Sequence, residues 1–387
     1  MGWHLLFIPV NFVAAGILVF LANWVSATRW RKSGAAHWTE RARLFSPLRK
    51  GAATNMLITP AAIVVAETGP DWEVDFAWWY LVLWAAGFAG AILGTYPLDK
   101  KAFPRFTFGS WLQLVSFSWT LRLALWAAFL SCILLMPDQP GVGMAIVGIG
   151  YFLFGIAWSW GLYMTTLRLA GLLKAPDERL RCIVDSTAGR IGSKSPGVWI
   201  LNVPFALAYA VPTTGKLMFT SRLLTILSDE EISTVCAHEL AHLSESKPIL
   251  IGRIITSLGL YPLIFLRPAI HYGPSLGCFI GGFILLLSFL GKKLSRRMEV
   301  RADELAVESQ TQKGTYARAL EKICQDILAP AVAKSDRRTH PHLYDRMLAA
   351  GIQPDYPRPA KPDDLPWQIL VYWVFLGITT GAVLGLK

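Results

Sequence analysis

Ser228-Asp229-Glu230-Glu231-Ile232-Ser233-Thr234-Val235-Cys236-Ala237-His238-Glu239-Leu240-Ala241-His242 is the stretch on which the reading of this chain turns. Ser228 followed three residues later by Glu231 has the form of a capping box, which opens a helix. That helix runs into His238-Glu239-Leu240-Ala241-His242, an HExxH sequence. Residues four apart share a helix face, so both imidazoles can reach one ion. Zinc accepts imidazole nitrogen at about 2.0–2.1 Å, and its catalytic sites keep one position open. Glu239 is then placed as a general base toward water at that ion. Cys236, two residues before the first histidine, points elsewhere on the helix and reads as core.

A second stretch, Ser295-Arg296-Arg297-Met298-Glu299-Val300-Arg301-Ala302-Asp303, sets two carboxylates at helical spacing. Glu299 is the expected third ligand. Asp303, one turn on, is the expected acceptor behind a ligand imidazole. The plainer alternative is a solvated acidic face shared with Glu304 and Glu308. Register favours the metal reading. The midpoint of His242 and Glu299 falls in the Pro268–Gly273 turn, and so does that of His238 and Asp303. If two continuous antiparallel helices meet at that turn, the four side chains lie together, about 10 Å beyond the apolar section. Pro248 could bend the first of those helices.

Outward from this pair of stretches the chain is apolar. Of its 387 residues 53% are hydrophobic and 16% charged, where a soluble domain carries about a quarter charged residues. Seven runs have the length and character of membrane spans: Leu5–Ala27, Phe76–Tyr96, Gln113–Met136, Val142–Thr166, Leu250–Leu266, Pro274–Leu290 and Trp367–Leu386. An eighth, Ala52–Ala66, is shorter and contains Asn55 and Pro60. If it crosses, every basic cluster falls on one side of the membrane and Glu67, Asp71, Glu73 and Asp75 on the other, as positive-inside topology requires. Eight spans with both termini outside put the hydrophilic blocks Leu167–Ile249 and Gly291–Pro366 in the cytoplasm. The first apolar run has no positive segment before it and reads as a retained span. Within the first block, Val198–Leu201, Leu217–Thr220 and Leu207–Val211 look like short strands.

Several function classes drop out. The net charge of +11 sits beside apolar segments rather than in any nucleic-acid motif, so no nucleic-acid partner is expected. The five cysteines are scattered without CxxC spacing and suggest neither a disulfide framework nor a cysteine zinc site. Glycines in Gly141–Gly150 suit close helix packing. Arg122 and Arg253, in or beside apolar runs, either line a cavity or snorkel to the cytoplasmic face.

HExxH with a downstream ExxAD resembles the membrane gluzincins, namely the HtpX heat-shock proteases and the type I CAAX prenyl endopeptidases. The resemblance covers roughly Leu167–Met347. Thr339-His340-Pro341-His342-Leu343-Tyr344-Asp345-Arg346 is similar to the family's later THPPxxxR segment, with His342 in place of its second proline. The resemblance implies that His340 and Arg346 line the site. Leu207-Ala208-Tyr209-Ala210 aligns with the family's NAxA strand, with Leu207 in place of the asparagine, and implies a sheet edge that binds extended substrate. The expected fold is mainly α: a polytopic membrane bundle of about eight spans with a small cytoplasmic α+β zincin metallopeptidase domain. Its segments are an N-terminal membrane region (1–166), a first catalytic segment (167–249), a transmembrane hairpin (250–290), a second catalytic segment (291–355), and a linker with the last span (356–387). The expected function is zinc-dependent endopeptidase, with one Zn2+ per chain and a protein or peptide substrate associated with the bilayer. The expected location is a bacterial-type inner membrane. A prenyl-peptide protease, a catalytically silent zinc scaffold and a transporter remain as alternatives, and the oligomeric state is open.

Overall fold

The structure, a computed structural model, describes residues 6–34, 36–68, 77–137, 139, 141–259, 261–265, 268–269, 273–334 and 341–386. It is mostly helical with one small sheet. Two compact units can be separated. One comprises Met1–Leu112, Leu328–Lys334 and Tyr356–Lys387, the other Gln113–Ile327 and Ser335–Asp355.

In the first unit, helices Phe7–Ser26 and Ala77–Ala102 cross so closely that side chains are excluded from the contact. A Cβ on Gly90 would stand 1.8 Å from the Phe12 carbonyl oxygen, and one on Gly94 2.4 Å from that of Gly16. Small residues matter here because helices in lipid gain little from burying apolar side chains and associate through backbone proximity instead. Some buried polar residues hydrogen-bond between helices. Asn55 Nδ2 donates to Asn23 Oδ1 at 2.9 Å, and Trp373 Nε1 donates to Asn55 Oδ1 at 2.8 Å. Helices Phe7–Ser26, Trp38–Thr68 and Trp367–Leu386 are thereby joined through one buried amide.

In the second unit, a four-stranded sheet has the order β1-β2-β4-β3, with β1 Leu173–Lys174, β2 Gly197–Leu201, β3 Ala208–Val211 and β4 Lys216–Thr220. β2 and β4 run parallel, while β1 and β3 pair antiparallel to their neighbours. β3 is an edge strand. Helix Asp229–Leu243 lies on this sheet and on helix Glu178–Arg190. Leu217, Phe219, Val184, Ile232, Cys236 and Leu240 form the core between them. The capping box at its start is formed: Ser228 N–H donates to Glu231 Oε2 at 2.9 Å, and Glu231 N–H donates to Ser228 Oγ. β1, only two residues long, has no strand signature in the sequence.

Among the described residues four helices are long and apolar enough to cross a membrane: Phe7–Ser26, Trp79–Ala102, Val142–Leu169 and Ser275–Ser309. A shorter apolar helix covers Trp367–Ala382. The expected count of eight spans is therefore not reached by this measure. Ala52–Ala66 belongs to the 31-residue helix Trp38–Thr68, whose charged first half lowers its hydropathy. Gln113–Met136 coincides with helix Phe108–Leu135, but many of its side chains, Arg122 included, lie outside the described residues. Leu250–Leu266 is not one helix. It forms helix Lys247–Ser257 and then a separate 3₁₀ turn, Tyr261–Phe265. Gly259 favours the break, and Pro262 lacks the N–H that a continuing helix needs. Pro248 sits in the first turn of the new helix, where proline is tolerated. Of the glycines in Gly141–Gly150, Gly148 packs closely against Tyr261 and Phe265, and Gly143 against Pro137.

The opposing arm is continuous. Helix Pro274–Ser309 has 36 residues, about 54 Å at 1.5 Å per residue. That exceeds a hydrocarbon layer of about 30 Å. The same rigid element can therefore be apolar at its start and carry Glu299 and Asp303 near its end.

Candidate metal centre

His238 and His242 project from one face of helix Asp229–Leu243, with ring centroids 5.0 Å apart. Helix Pro274–Ser309 packs beside it and brings up Glu299. His238 Nε2 lies 3.5 Å from Glu299 Oε2, and His242 Nε2 lies 3.7 Å from Glu299 Oε1. Each of the three residues offers a ligand atom within 4.8 Å of the others, and all three side chains are buried. A tetrahedral zinc with bonds near 2.1 Å separates its donors by about 3.4 Å. Two imidazole nitrogens and one carboxylate oxygen at these spacings fit such an ion. The meeting that register suggested is present, although the first arm of the hairpin is broken.

Each imidazole is held from behind. His238 Nδ1 stands 2.8 Å from the Tyr316 hydroxyl and 3.1 Å from Asp303 Oδ1. Tyr316 donates to Asp303 at 2.6 Å. Arg346 closes the group, with Nε donating to Asp303 Oδ2 at 2.7 Å and Nη2 donating to the Tyr316 hydroxyl at 2.7 Å. Arg346 thus faces Asp303 and Tyr316 rather than the histidine–glutamate cluster. On the other imidazole, His242 Nδ1 is 3.0 Å from Glu245 Oε1. These contacts turn both Nε2 atoms toward the cluster, as metal-binding histidines require.

Glu239 is buried beside the cluster. Burial raises its pKa above the ordinary carboxylate range, while His238, His242 and a hydrogen bond from the Ala210 backbone moderate the rise. A base with a raised pKa is better matched to proton transfer near neutral pH. Ala210 belongs to β3, so the edge strand reaches the same place. Ala208 and Tyr209 share that strand, whereas Leu207 lies just before it and pairs with Thr220. His238, in the absence of metal, has its pKa raised to about 9: burial opposes its charge, but Asp303 and Glu299 outweigh that. Tyr316 is pushed well above the usual phenol value, first by burial and further by Asp303.

His340 lies outside the described residues. His342 is buried immediately before helix Leu343–Ala349. Sequence reasoning missed Tyr316 and Glu245. Glu245 stands three residues beyond His242 but past the end of the helix, in the turn before helix Lys247–Ser257, so helical spacing did not mark it. Nothing in the sequence around Tyr316 marks it.

Residues 174–351 match the description Peptidase family M48. The chain is 27% identical over 230 residues to a Protease HtpX homolog of Methanothermobacter thermautotrophicus, covering 53% of this chain and 86% of that protein. A Protease HtpX homolog of Methylibium petroleiphilum is 24% identical over 247 residues, 59% of this chain and 85% of that protein. One from Saccharolobus islandicus is 31% identical over 136 residues, where this chain spans only 40% of that relative's length. The family's peptidases use zinc, and the His238–His242–Glu299 cluster provides a donor set for it. Over residues 174–351 the chain is similar to peptidase family M48, and over a comparable stretch to curated HtpX protease homologs.

Proposed function

We propose that this chain is an integral membrane endopeptidase that cleaves membrane or membrane-associated proteins in quality control or regulation. The observation that carries the reading is the convergence of His238, His242 and Glu299 with Glu239 buried at their side. One zinc per chain, when bound, supplies a Lewis acid that acidifies water and polarises a peptide carbonyl. Glu239 takes the proton from the attacking water and returns it to the leaving amine. Its raised pKa suits both halves of that exchange. β3 aligns an extended substrate through its outward backbone groups, with Leu207, Ala208, Tyr209 and Ala210 forming the edge. His340 approaches the substrate carbonyl. Arg346 and Asp303 act through His238 and are positioning residues.

The catalytic segments, 167–249 and 291–355, face the cytoplasm, flanked by the membrane region 1–166, the hairpin 250–290 and the linker and last span 356–387. The bilayer is that of a bacterial-type inner membrane, and basic residues beside the apolar segments support this orientation. The test is Glu239→Gln. Purified variant should keep zinc and lose turnover of a membrane-protein substrate, and proteomics of cells carrying it should show substrates accumulating. Retained turnover removes Glu239 from its role. Cleavage of a prenylated C-terminal peptide, and of no other substrate, would move the reading to the prenyl endopeptidases.

A further inference from the structure

Helix Asp229–Leu243 ends at Ser244, and the chain turns through Glu245 before helix Lys247–Ser257 begins. The Glu245 side chain is 2% exposed. A carboxylate so placed needs a cation and hydrogen bonds. Arg253 Nη2 donates to its Oε1 at 2.5 Å, and His242 Nδ1 meets the same oxygen at 3.0 Å. Glu245 Oε2 is buried and has no hydrogen-bond partner among the described residues, so the carboxylate is committed through one oxygen. Arg253 is delivered by close helix packing. A Cβ on the adjacent Gly252 would stand 3.2 Å from Leu294, on the helix that carries Glu299.

We propose that Glu245, anchored by Arg253, is a positioning residue for His242. It accepts the Nδ1 proton, and so leaves the Nε2 lone pair facing Glu299. Arg253 Nη2 also lies 3.4 Å from His242 Nδ1. This longer approach follows from two donors sharing one oxygen. Were Arg253 instead the donor to Nδ1, the proton would sit on Nε2 and the ring could not ligate. The carboxylate at 3.0 Å decides for the first arrangement. The inference rests on the metal reading of the site. It also gives Arg253 a structural role, as the anchor of a ligand's partner rather than a snorkelling surface charge.

The experiment uses full-length protein in detergent, with zinc as the probe. Wild-type zinc content tests the metal reading by itself: a wild type that binds no zinc sinks that reading. Given zinc in the wild type, chelator competition should show Glu245→Leu weakening zinc about 10–100-fold. Glu245→Gln, which keeps an acceptor oxygen, should lose less. Arg253→Met should weaken zinc in the same direction, and the double variant Glu245→Leu/Arg253→Met should be no worse than Glu245→Leu. The cobalt-substituted absorption spectrum should change in Glu245→Leu and largely recover in Glu245→Gln. In ¹⁵N-histidine spectra of the metal-free wild type, His242 should be protonated on Nδ1. A His242 ring with its only proton on Nε2, or a folded Glu245→Leu with wild-type zinc affinity and cobalt spectrum, overturns the proposal. Should Glu245→Leu fail to fold, unchanged zinc affinity in both Glu245→Gln and Arg253→Met overturns it equally.

Discussion

The two compact units bury polar and small residues for opposite reasons. In the first, glycines at the Phe7–Ser26 and Ala77–Ala102 crossing exist so that nothing stands between backbones. Two of its buried amides, Asn23 and Asn55, hydrogen-bond to one another. In the second, the interior beneath helix Asp229–Leu243 is an ordinary apolar core, yet beside it lies a charge island: buried Glu239 and Glu299 with two buried histidines, and the partly buried pair Asp303 and Arg346. Hydrophobic burial gives little between helices already in lipid, so packing there depends on shape. A buried charge cluster stabilises little by itself and is costly when one partner is removed. One region is therefore sensitive to volume, the other to charge.

The largest effect should come from the charge island. Glu299→Ala removes a direct donor, so zinc affinity should fall by more than about 100-fold, since partners one step removed are worth about 10–100-fold. Metal analysis after dialysis checks this, and retained stoichiometric zinc would break the assignment of the third donor. Next is Arg346→Met, which leaves the largely enclosed Asp303 carboxylate without its cation. Destabilisation of about 3–5 kcal/mol is expected in denaturant titration. An effect below about 1 kcal/mol, the worth of an exposed ion pair, would mean the cluster is solvated.

The volume-sensitive region gives the third test. Gly90→Ala must push the Phe12 carbonyl away, and should cost about 1–3 kcal/mol as overpacked contacts do. Gly281→Ala, on helix Pro274–Ser309 with nothing within 4 Å of the added Cβ, should change stability by no more than about 1 kcal/mol, toward stabilisation, because alanine is the better helix former. Equal effects at the two glycines would erase the contrast between the units. A further test of the charge island is one of pH. In metal-free protein His238 holds its proton up to about 9. A raised pKa of this kind adds stability below the unfolded histidine value, and that stability is lost as pH rises through about 9. The same proton must leave before zinc binds, so zinc affinity should rise by about tenfold per pH unit from neutrality up to that pKa. Calorimetric titration at several pH values checks this, and a flat profile would show that His238 is already neutral.

Much of the candidate site was legible. HExxH and ExxAD name their own spacing, and periodicity on a helix puts His238 with His242 and Glu299 with Asp303 on common faces. The edge strand and the capping box were readable for the same reason, since each is a local pattern with a local cause. Tyr316 was not, because its part depends on which hydroxyl happens to reach Asp303 across the fold. Hydropathy makes Leu250–Leu266 a single span, because it counts apolar residues and is indifferent to the helix-breaking character of Gly259 and Pro262.

The sequence by itself determined which residues could serve as ligands and base, and that the chain would need lipid around much of its length. Only the tertiary structure decided that Tyr316 and Glu245 join Asp303 behind the imidazoles, and that Arg346 and Arg253 neutralise the Asp303 and Glu245 carboxylates. Spacing along a helix is fixed by about 3.6 residues per turn and can be read from a string. Contacts between distant elements depend on how whole surfaces pack, and no local pattern encodes them.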